Sequence, residues 1–133
     1  MKLWPFHVER RADPHRKVEL AASFQVRDDF SGALLTPENP ALIIDLSPSG
    51  CCLALDQLDP GGFHLHRCLE EPQDYPLELK VRLHGGEAVV LRAEVKWLNR
   101  ELRATGPPFR VGLRFCQEQG GAPLAWRRFR RAL

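Results

Sequence analysis

The chain has 133 residues, the length of one domain, and is long enough to bury a core without disulfides or metals. Its 44% hydrophobic and 27% charged residues are typical of a folded globular protein, and a net charge of +2 argues against a general nucleic-acid binder. No run approaches the ~20 apolar residues of a membrane span, and the N-terminus lacks the apolar core of an export signal. We therefore expect a cytoplasmic protein whose four cysteines are reduced thiols.

The first 17 residues differ in character from the rest of the chain. They show no hydrophobic periodicity, and they contain Arg10, Arg11 and Arg16 within a basic cluster. We predict a flexible basic arm at 1–17 and a folded domain at 18–133. The last eight residues carry four more arginines and no acid. Two basic ends on a nearly neutral body indicate local anion binding.

Alternating apolar and polar residues dominate the domain that follows. The predicted strands are 18–26, 41–45, 51–55, 77–83, 89–97 and 111–115. After Pro123, the apolar residues Trp126, Phe129 and Leu133 recur at helical spacing, which predicts a C-terminal helix. Six short strands and one helix predict a mostly β fold, a small antiparallel barrel.

The most specific motif is the hexapeptide D-L-S-P-S-G at 45–50, which joins two predicted strands downstream of the arginine cluster. Together with V-K-W at 95–97, R-V-G-L-R-F at 110–115 and a closing helix, this order resembles the PilZ domain, a bacterial receptor for the second messenger cyclic di-GMP. The resemblance covers residues 9–133, and the hexapeptide matches the family's (D/N)-x-S-x-x-G in full. It implies a PilZ-like β-barrel and a signalling function.

The resemblance also implies a ligand site in two halves. The predicted ligand-binding residues are Arg10, Arg11 and Arg16 on the arm, and Asp45, Ser47 and Gly50 on the barrel. An arginine fork binds phosphate or the guanine edge and stacks on bases, whereas a carboxylate accepts from guanine N–H groups. Ser47 can donate or accept, and a glycine at position 50 permits positive φ and close approach to a ligand.

One departure from the family pattern leaves the function open. The family's arginines are spaced R-x-x-x-R, but Arg11 and Arg16 are five positions apart. Either the arm contains a one-residue bulge, or His15 or Lys17 takes the place of the second arginine. The alternative is therefore a divergent PilZ-like adaptor that has lost the nucleotide and acts through protein partners in motility, pilus or secretion machinery.

Other functions find less support in the residues. An oligonucleotide-binding barrel needs several exposed aromatics, and most aromatics here fall at core positions, including Trp97, in phase with Val95. His64, His66 and Cys68 alternate on one face of an expected strand, but no fourth ligand completes a zinc site. No nucleophile elbow, phosphate-binding loop or paired carboxylates point to an enzyme. We expect neither catalysis nor a cofactor.

Overall fold

The computed structural model describes residues 15–102, 105–116 and 122–133. Most of the predicted arm, including Arg10 and Arg11, lies outside the described residues. The first strand begins at Arg16, two residues before the predicted start of the domain at 18. Arg16 and Lys17, which the sequence placed in the arm, are therefore strand residues.

Six strands close into one antiparallel barrel, which confirms the predicted fold class. They are β1 Arg16–Val26, β2 Asn39–Leu46, β3 Gly50–Leu55, β4 Leu77–Arg82, β5 Ala88–Arg100 and β6 Phe109–Phe115. Their order around the barrel is β1-β2-β3-β6-β5-β4, and β4 pairs with β1 to close it.

Alternation along each strand separates the core from the surface. In β4, Leu77, Leu79 and Val81 are fully buried, whereas Lys80 and Arg82 are exposed. Inward side chains from all six strands form one apolar cluster that fills the barrel, as expected for a barrel of this size. We therefore look for a ligand site on the outer surface.

The two ends of the barrel are built differently. We call the end that carries the short connections 47–49 and 83–87 the turn end, and the end that carries the longer connections 27–38 and 56–76 the loop end. This division follows from the antiparallel pairing, because successive connections fall at opposite ends.

A C-terminal helix, α2 (Leu124–Arg131), covers the turn end, as the sequence predicted. The Trp126 side chain is buried, and its ring lies 5.7 Å from that of Phe115 and stacks at 5.8 Å on that of Phe129. Phe129 in turn contacts the His84 ring in the β4–β5 turn at 5.6 Å. Leu133, which we expected on the same apolar face, lies beyond the end of the helix and is exposed.

The expected strand through His64, His66 and Cys68 is wrong. Residues His66–Glu70 form a short helix, α1, after a single 3-10 turn at Pro60–Gly62. Leu65 and Cys68 are fully buried, whereas His64 and His66 are exposed. The buried pair is spaced by three residues, which is helical, and this signal is stronger than the alternation of the polar residues. No group of metal-binding side chains occurs in the part of the chain that the structure describes.

The described segments contain no helix long and apolar enough to cross a membrane.

Candidate ligand-binding surface

The turn that joins β2 to β3 is held together by Ser47 and Gly50. The Ser47 N–H donates to the Gly50 carbonyl at 2.9 Å, and the Ser47 hydroxyl lies 3.2 Å from both the N–H and the carbonyl oxygen of Gly50. Ser47 is buried. The hydroxyl that the sequence assigned to a ligand is thus bonded within the turn, where it fixes the position of the neighbouring residues.

Gly50 is required by packing. A Cβ at this position would lie 1.9 Å from the carbonyl oxygen of Leu113 on the neighbouring strand β6. The left-handed conformation that a glycine permits is not adopted, because Gly50 is not among the glycines with positive φ. Close approach of two backbones, rather than a left-handed conformation, excludes every other residue type here.

Asp45 lies on the outer surface at the end of β2. Its Oδ2 is 3.1 Å from the Nδ1 atom of His15, and in the register of the sheet it lies directly opposite Lys17. Its Oδ1 is buried and has no hydrogen-bond partner among the described residues. A buried carboxylate oxygen without a donor is costly, so an N–H group that reaches Oδ1 after the groups covering it move aside would be stabilised there.

The register also separates the two basic residues that begin β1. Lys17 lies opposite Asp45, whereas Arg16 lies opposite Leu46, whose side chain is in the core. Adjacent strand residues point to opposite faces, so Lys17 shares the face of Asp45 and Arg16 does not. The structure therefore brings His15 and Lys17 to Asp45, but not Arg16.

Asp45 belongs to a continuous row of side chains across five strands, which we call the outer row. Successive pairs in the sheet register connect Lys17, Asp45, Cys52, Gly112 and Trp97. Directly opposed residues in antiparallel strands share one face, so all five lie on the outside of the barrel. The outer row joins residues that are up to 95 positions apart in the sequence, Lys17 and Gly112.

The expectation that Trp97 belongs to the core is wrong. The pairing of β5 with β6 shifts between Val95 and Trp97, which marks a β-bulge at Lys96. The extra residue reverses the alternation, so Val95 points inward and Trp97, 36% exposed, lies on the outer surface. The indole covers Gly112, where a Cβ would lie 2.1 Å from Nε1.

Electrostatic effects on Cys52 identify the charges that surround the outer row. Burial raises the pKa of the Cys52 thiol to about 11; the Arg110 and Lys17 cations oppose this increase, and the Asp45 carboxylate adds to it. The thiol is therefore neutral at pH 7, between one carboxylate and two cations. Arg110 is fixed by its Nη1, which donates to the Pro107 carbonyl at 2.6 Å. The surface can thus receive a ligand that carries both anionic groups and N–H donors.

Sequence reasoning missed Cys52, Arg110 and the surface position of Trp97. Only the pairing of β2 with β3, of β3 with β6 and of β6 with β5 brings them to Asp45. The motif R-V-G-L-R-F did offer a signal, since a glycine in a central strand often marks a place where another group approaches closely.

Comparisons with known proteins agree on the fold. Neither a protein-family model nor a curated protein matches the chain. Among solved structures, the inhibitor of motility MotI/DgrA of Bacillus subtilis is similar over 92% of this chain and 49% of its own, with a TM-score of 0.55 and 14% identity. The PilZ domain of YcgR from Escherichia coli, solved with c-di-GMP, is similar over 92% of this chain and 88% of its own, with a TM-score of 0.55 and 15% identity.

The chain has a PilZ-like fold. At 14–15% identity the likeness establishes the fold, and the chain spans about half the length of MotI/DgrA. In the six-stranded PilZ-like barrel, the D-L-S-P-S-G turn begins with Asp45, which is itself a member of the outer row.

Proposed function

We propose that this PilZ-like barrel is a receptor for cyclic di-GMP in a bacterial cytoplasm. The observation that carries the proposal is the Asp45 carboxylate, which lies next to a rigid turn and has one buried oxygen without a donor among the described residues. The likeness to the PilZ domain of YcgR, which was solved with c-di-GMP, supports the same ligand class.

The guanine edge matches the Asp45 carboxylate. A guanine presents the N1–H and N2–H groups side by side, and a carboxylate accepts both through its two oxygens. Oδ1 has no donor among the described residues, and Oδ2 is held by the exposed ring of His15. Guanine binding therefore requires the His15 ring to move away from Oδ2, which exchanges one hydrogen bond for two.

The remaining parts of the ligand match the cations and the indole. Lys17 and Arg110 lie close enough to Asp45 and Cys52 to neutralise one phosphate there. Arg10 and Arg11, together with Arg16, would contact the second phosphate or stack on a base, because an arginine fork does both. The exposed face of Trp97 offers a second flat surface for stacking. Signal transmission would follow from ordering of the arm against the barrel.

Calorimetric titration with cyclic di-GMP tests this proposal. We expect micromolar or tighter binding by the full chain, and we expect Asp45→Asn to weaken it about tenfold or more, since a hydrogen bond to a charged group contributes ~1.5–3 kcal/mol. Asp56→Asn is the matched control, because Asp56 is exposed after β3 at the loop end. Both variants should keep the circular dichroism spectrum of the wild type. Equal affinity of Asp45→Asn and wild type would place the site elsewhere.

The second candidate is an adaptor that does not bind the nucleotide. The hydrogen bond from His15 to Asp45 favours it, because it occupies the guanine acceptor with a group from the chain itself. The irregular spacing of Arg11 and Arg16 favours it too. In that case the protein acts through contacts with motility, pilus or secretion machinery. An absence of heat and of thermal shift at ~100 μM ligand would support the adaptor and reject the receptor.

A further inference from the structure

The outward side of α2 carries a dense cluster of cations, which we call the arginine face. It consists of Arg127, Arg128, Arg130 and Arg131, and residues 122–133 contain no acid. Arg128 and Arg131 are exposed, and the other two are half-buried at the edges of the helix. No carboxylate in the described ranges forms an ion pair with any of the four. The arginine face therefore has no countercharge from the described part of the fold.

This charge pattern does not stabilise the helix by itself. Residues three or four positions apart are neighbours on a helix surface, and like charges at these spacings repel. Three such pairs occur in α2, namely 127 with 130, 127 with 131 and 128 with 131. The helix dipole favours the cations of the last turn, but Arg127 lies before that turn, and no acid occupies the first turn. The repulsion therefore remains until an anionic group from another molecule offsets it.

Packing holds the arginine face in a fixed position. The buried Trp126 ring contacts the rings of Phe115 and Phe129 at 5.7 and 5.8 Å, and Phe129 contacts the ring of His84 at 5.6 Å. These contacts fix the inward side of α2 against the turn end of the barrel. The backbone that carries the arginines is thus ordered before any partner arrives, which lowers the entropy cost of binding.

The arginine face also contains an apolar side chain. Leu124 is 50% exposed, and it shares one side of the helix with Arg128 and Arg131, which follow it at i+4 and i+7. All four cations are arginines, whose planar forks bind carboxylates through two parallel hydrogen bonds. Arginine is also among the residues that contribute most to binding at protein interfaces. The matching surface therefore presents several carboxylates around an apolar group.

A protein fits the arginine face better than a membrane or a nucleic acid does. Membrane-surface helices insert several large apolar side chains, but Trp126 and Phe129 are used in packing, which leaves Leu124. The helix has 8 residues and is about 12 Å long, so it can reach only a few phosphates of a nucleic acid. A net charge of +2 adds little long-range attraction to either polyanion.

We infer that the arginine face binds an acidic helical segment of a partner protein. A helix that lies alongside α2 and carries acidic residues at spacings of three and four places carboxylates opposite the guanidinium groups. An apolar side chain between those carboxylates covers Leu124 and adds apolar burial to the contact. The inference does not depend on nucleotide binding, because the arginine face shares no residue with the outer row or the D-L-S-P-S-G turn.

Fluorescence anisotropy of the full chain with a labelled peptide tests the inference. The probe is a helical peptide with glutamates at i, i+3, i+4 and i+7 around one leucine, and its control has glutamine in place of each glutamate. We expect a dissociation constant of about 10–100 μM at low salt that rises with ionic strength. The glutamine peptide should bind about tenfold more weakly or less. Absence of binding by the glutamate peptide overturns the inference.

Substitutions locate the contact on α2. Arg128→Glu should raise the dissociation constant by a factor of about ten or more, and Arg128→Gln, which disturbs the helix less, should raise it as well. Arg100→Glu is the matched control, because Arg100 is an exposed arginine at the end of β5, at the loop end. The circular dichroism spectrum should be the same in all three variants. Unchanged affinity of Arg128→Glu rejects the inference, and so does an equal loss in Arg100→Glu.

Other polyanions and the nucleotide serve as competing ligands. Tighter binding of phosphatidylglycerol vesicles, or of a labelled thymidine oligonucleotide, would assign the arginine face to a different partner and reject the inference. Titration of Arg128→Glu with cyclic di-GMP separates it from the proposed function. If the receptor proposal is correct, this variant binds the nucleotide with wild-type affinity. If only the receptor proposal fails, the wild type binds the peptide and not the nucleotide. Loss of nucleotide binding in folded Arg128→Glu would assign the arginine face to the nucleotide site and overturn the inference.

Discussion

The indole of Trp97 lies over Gly112, so that the outer surface of the barrel has a flat aromatic face where β5 pairs with β6. The relationship is reciprocal. The β-bulge between Val95 and Trp97 turns the indole outward, and the missing side chain at position 112 leaves the space that the ring occupies. A glycine inside a central strand weakens it by roughly 0.5–1 kcal/mol relative to alanine, so the position retains a residue that the strand alone would not favour.

We predict that Gly112→Ala displaces the Trp97 ring and leaves the barrel folded. The added methyl group would meet the Trp97 indole, which can rotate away. The better strand propensity of alanine offsets part of the stability lost when the indole leaves the strand surface at position 112. The free energy of unfolding should therefore change by about 1 kcal/mol or less. The indole N–H resonance of Trp97, assigned with Trp97→Phe, should move toward the position of a solvated ring. An unchanged resonance would mean that the ring does not lie over Gly112.

The same substitution at Gly50 should be much more costly. Its Cβ would meet the carbonyl oxygen of Leu113 at 1.9 Å, and a backbone atom in a paired strand cannot rotate away. We expect Gly50→Ala to lower the free energy of unfolding by about 2 kcal/mol or more in urea denaturation. Gly85→Ala is the control, because nothing lies within 4 Å of a Cβ at that exposed position. Equal stability of the two variants would contradict the close approach of β3 and β6.

The sequence predicted the barrel well because the fold depends on local alternation. Six apolar-polar segments and the helical spacing of Trp126 and Phe129 are local patterns, and each became a strand or a helix. Two of the errors, at Trp97 and in residues 64–68, came from misjudging the side-chain period. The bulge before Trp97 reverses the side chains that follow it on β5, and the spacing of Leu65 and Cys68 outweighs the polar alternation between them.

The candidate site was less predictable, because its neighbours are set by the register of the sheet. Asp45 was found from its motif. Its contact with His15 and its place beside Cys52 depend on how β1, β2 and β3 pair, which no local pattern specifies. The predicted ligand role of the Ser47 hydroxyl stays a prediction. The structure shows that this hydroxyl bonds Gly50 within the turn, which the motif alone also allows.

The pKa of Cys52 gives a pH prediction for its reactivity. Burial raises this pKa to about 11, so at pH 8 only about one thiol in a thousand is ionised, and the thiolate is the nucleophile. We expect alkylation of Cys52 by iodoacetamide to accelerate about tenfold per pH unit between pH 8 and pH 10. Arg110→Ala should slow the reaction further, because the Arg110 cation lowers this pKa. Mass spectrometry of the labelled peptides measures the rate, and a rate that levels off above about pH 9 would indicate an ordinary thiol.

The C-terminal helix should be part of the folded core. Trp126 is buried against Phe115 and Phe129 at the turn end, so Trp126→Ala should lower the free energy of unfolding by about 3–5 kcal/mol. Truncation before Pro123 should expose the same surface and cause aggregation. Leu124→Ala, on the exposed side of the helix, is the control and should change stability little. If the truncated protein keeps its melting temperature, α2 does not cover the core.

The spacing of the arginines provides the last prediction, which depends on the receptor proposal. Deleting Ala12 reduces the gap between Arg11 and Arg16 to the three residues of the family pattern, and the change leaves Asp45, the turn and the outer row untouched. Contacts with a phosphate need both arginine forks at fixed positions, so we expect the variant lacking Ala12 to bind cyclic di-GMP as tightly as the wild type or more tightly.

Deleting Val8 shortens the arm by the same length without changing the gap between Arg11 and Arg16, and this variant controls for arm length alone. Calorimetry gives the affinities. Backbone hydrogen exchange should slow around Arg10 and Arg11 when ligand is present, because the new contacts order these residues and offset the entropy cost of about 1–2 kcal/mol per residue. Loss of binding on deletion of Ala12, with the barrel still folded, would mean that the native spacing is already productive and that Lys17 or His15 stands where the family has its second arginine.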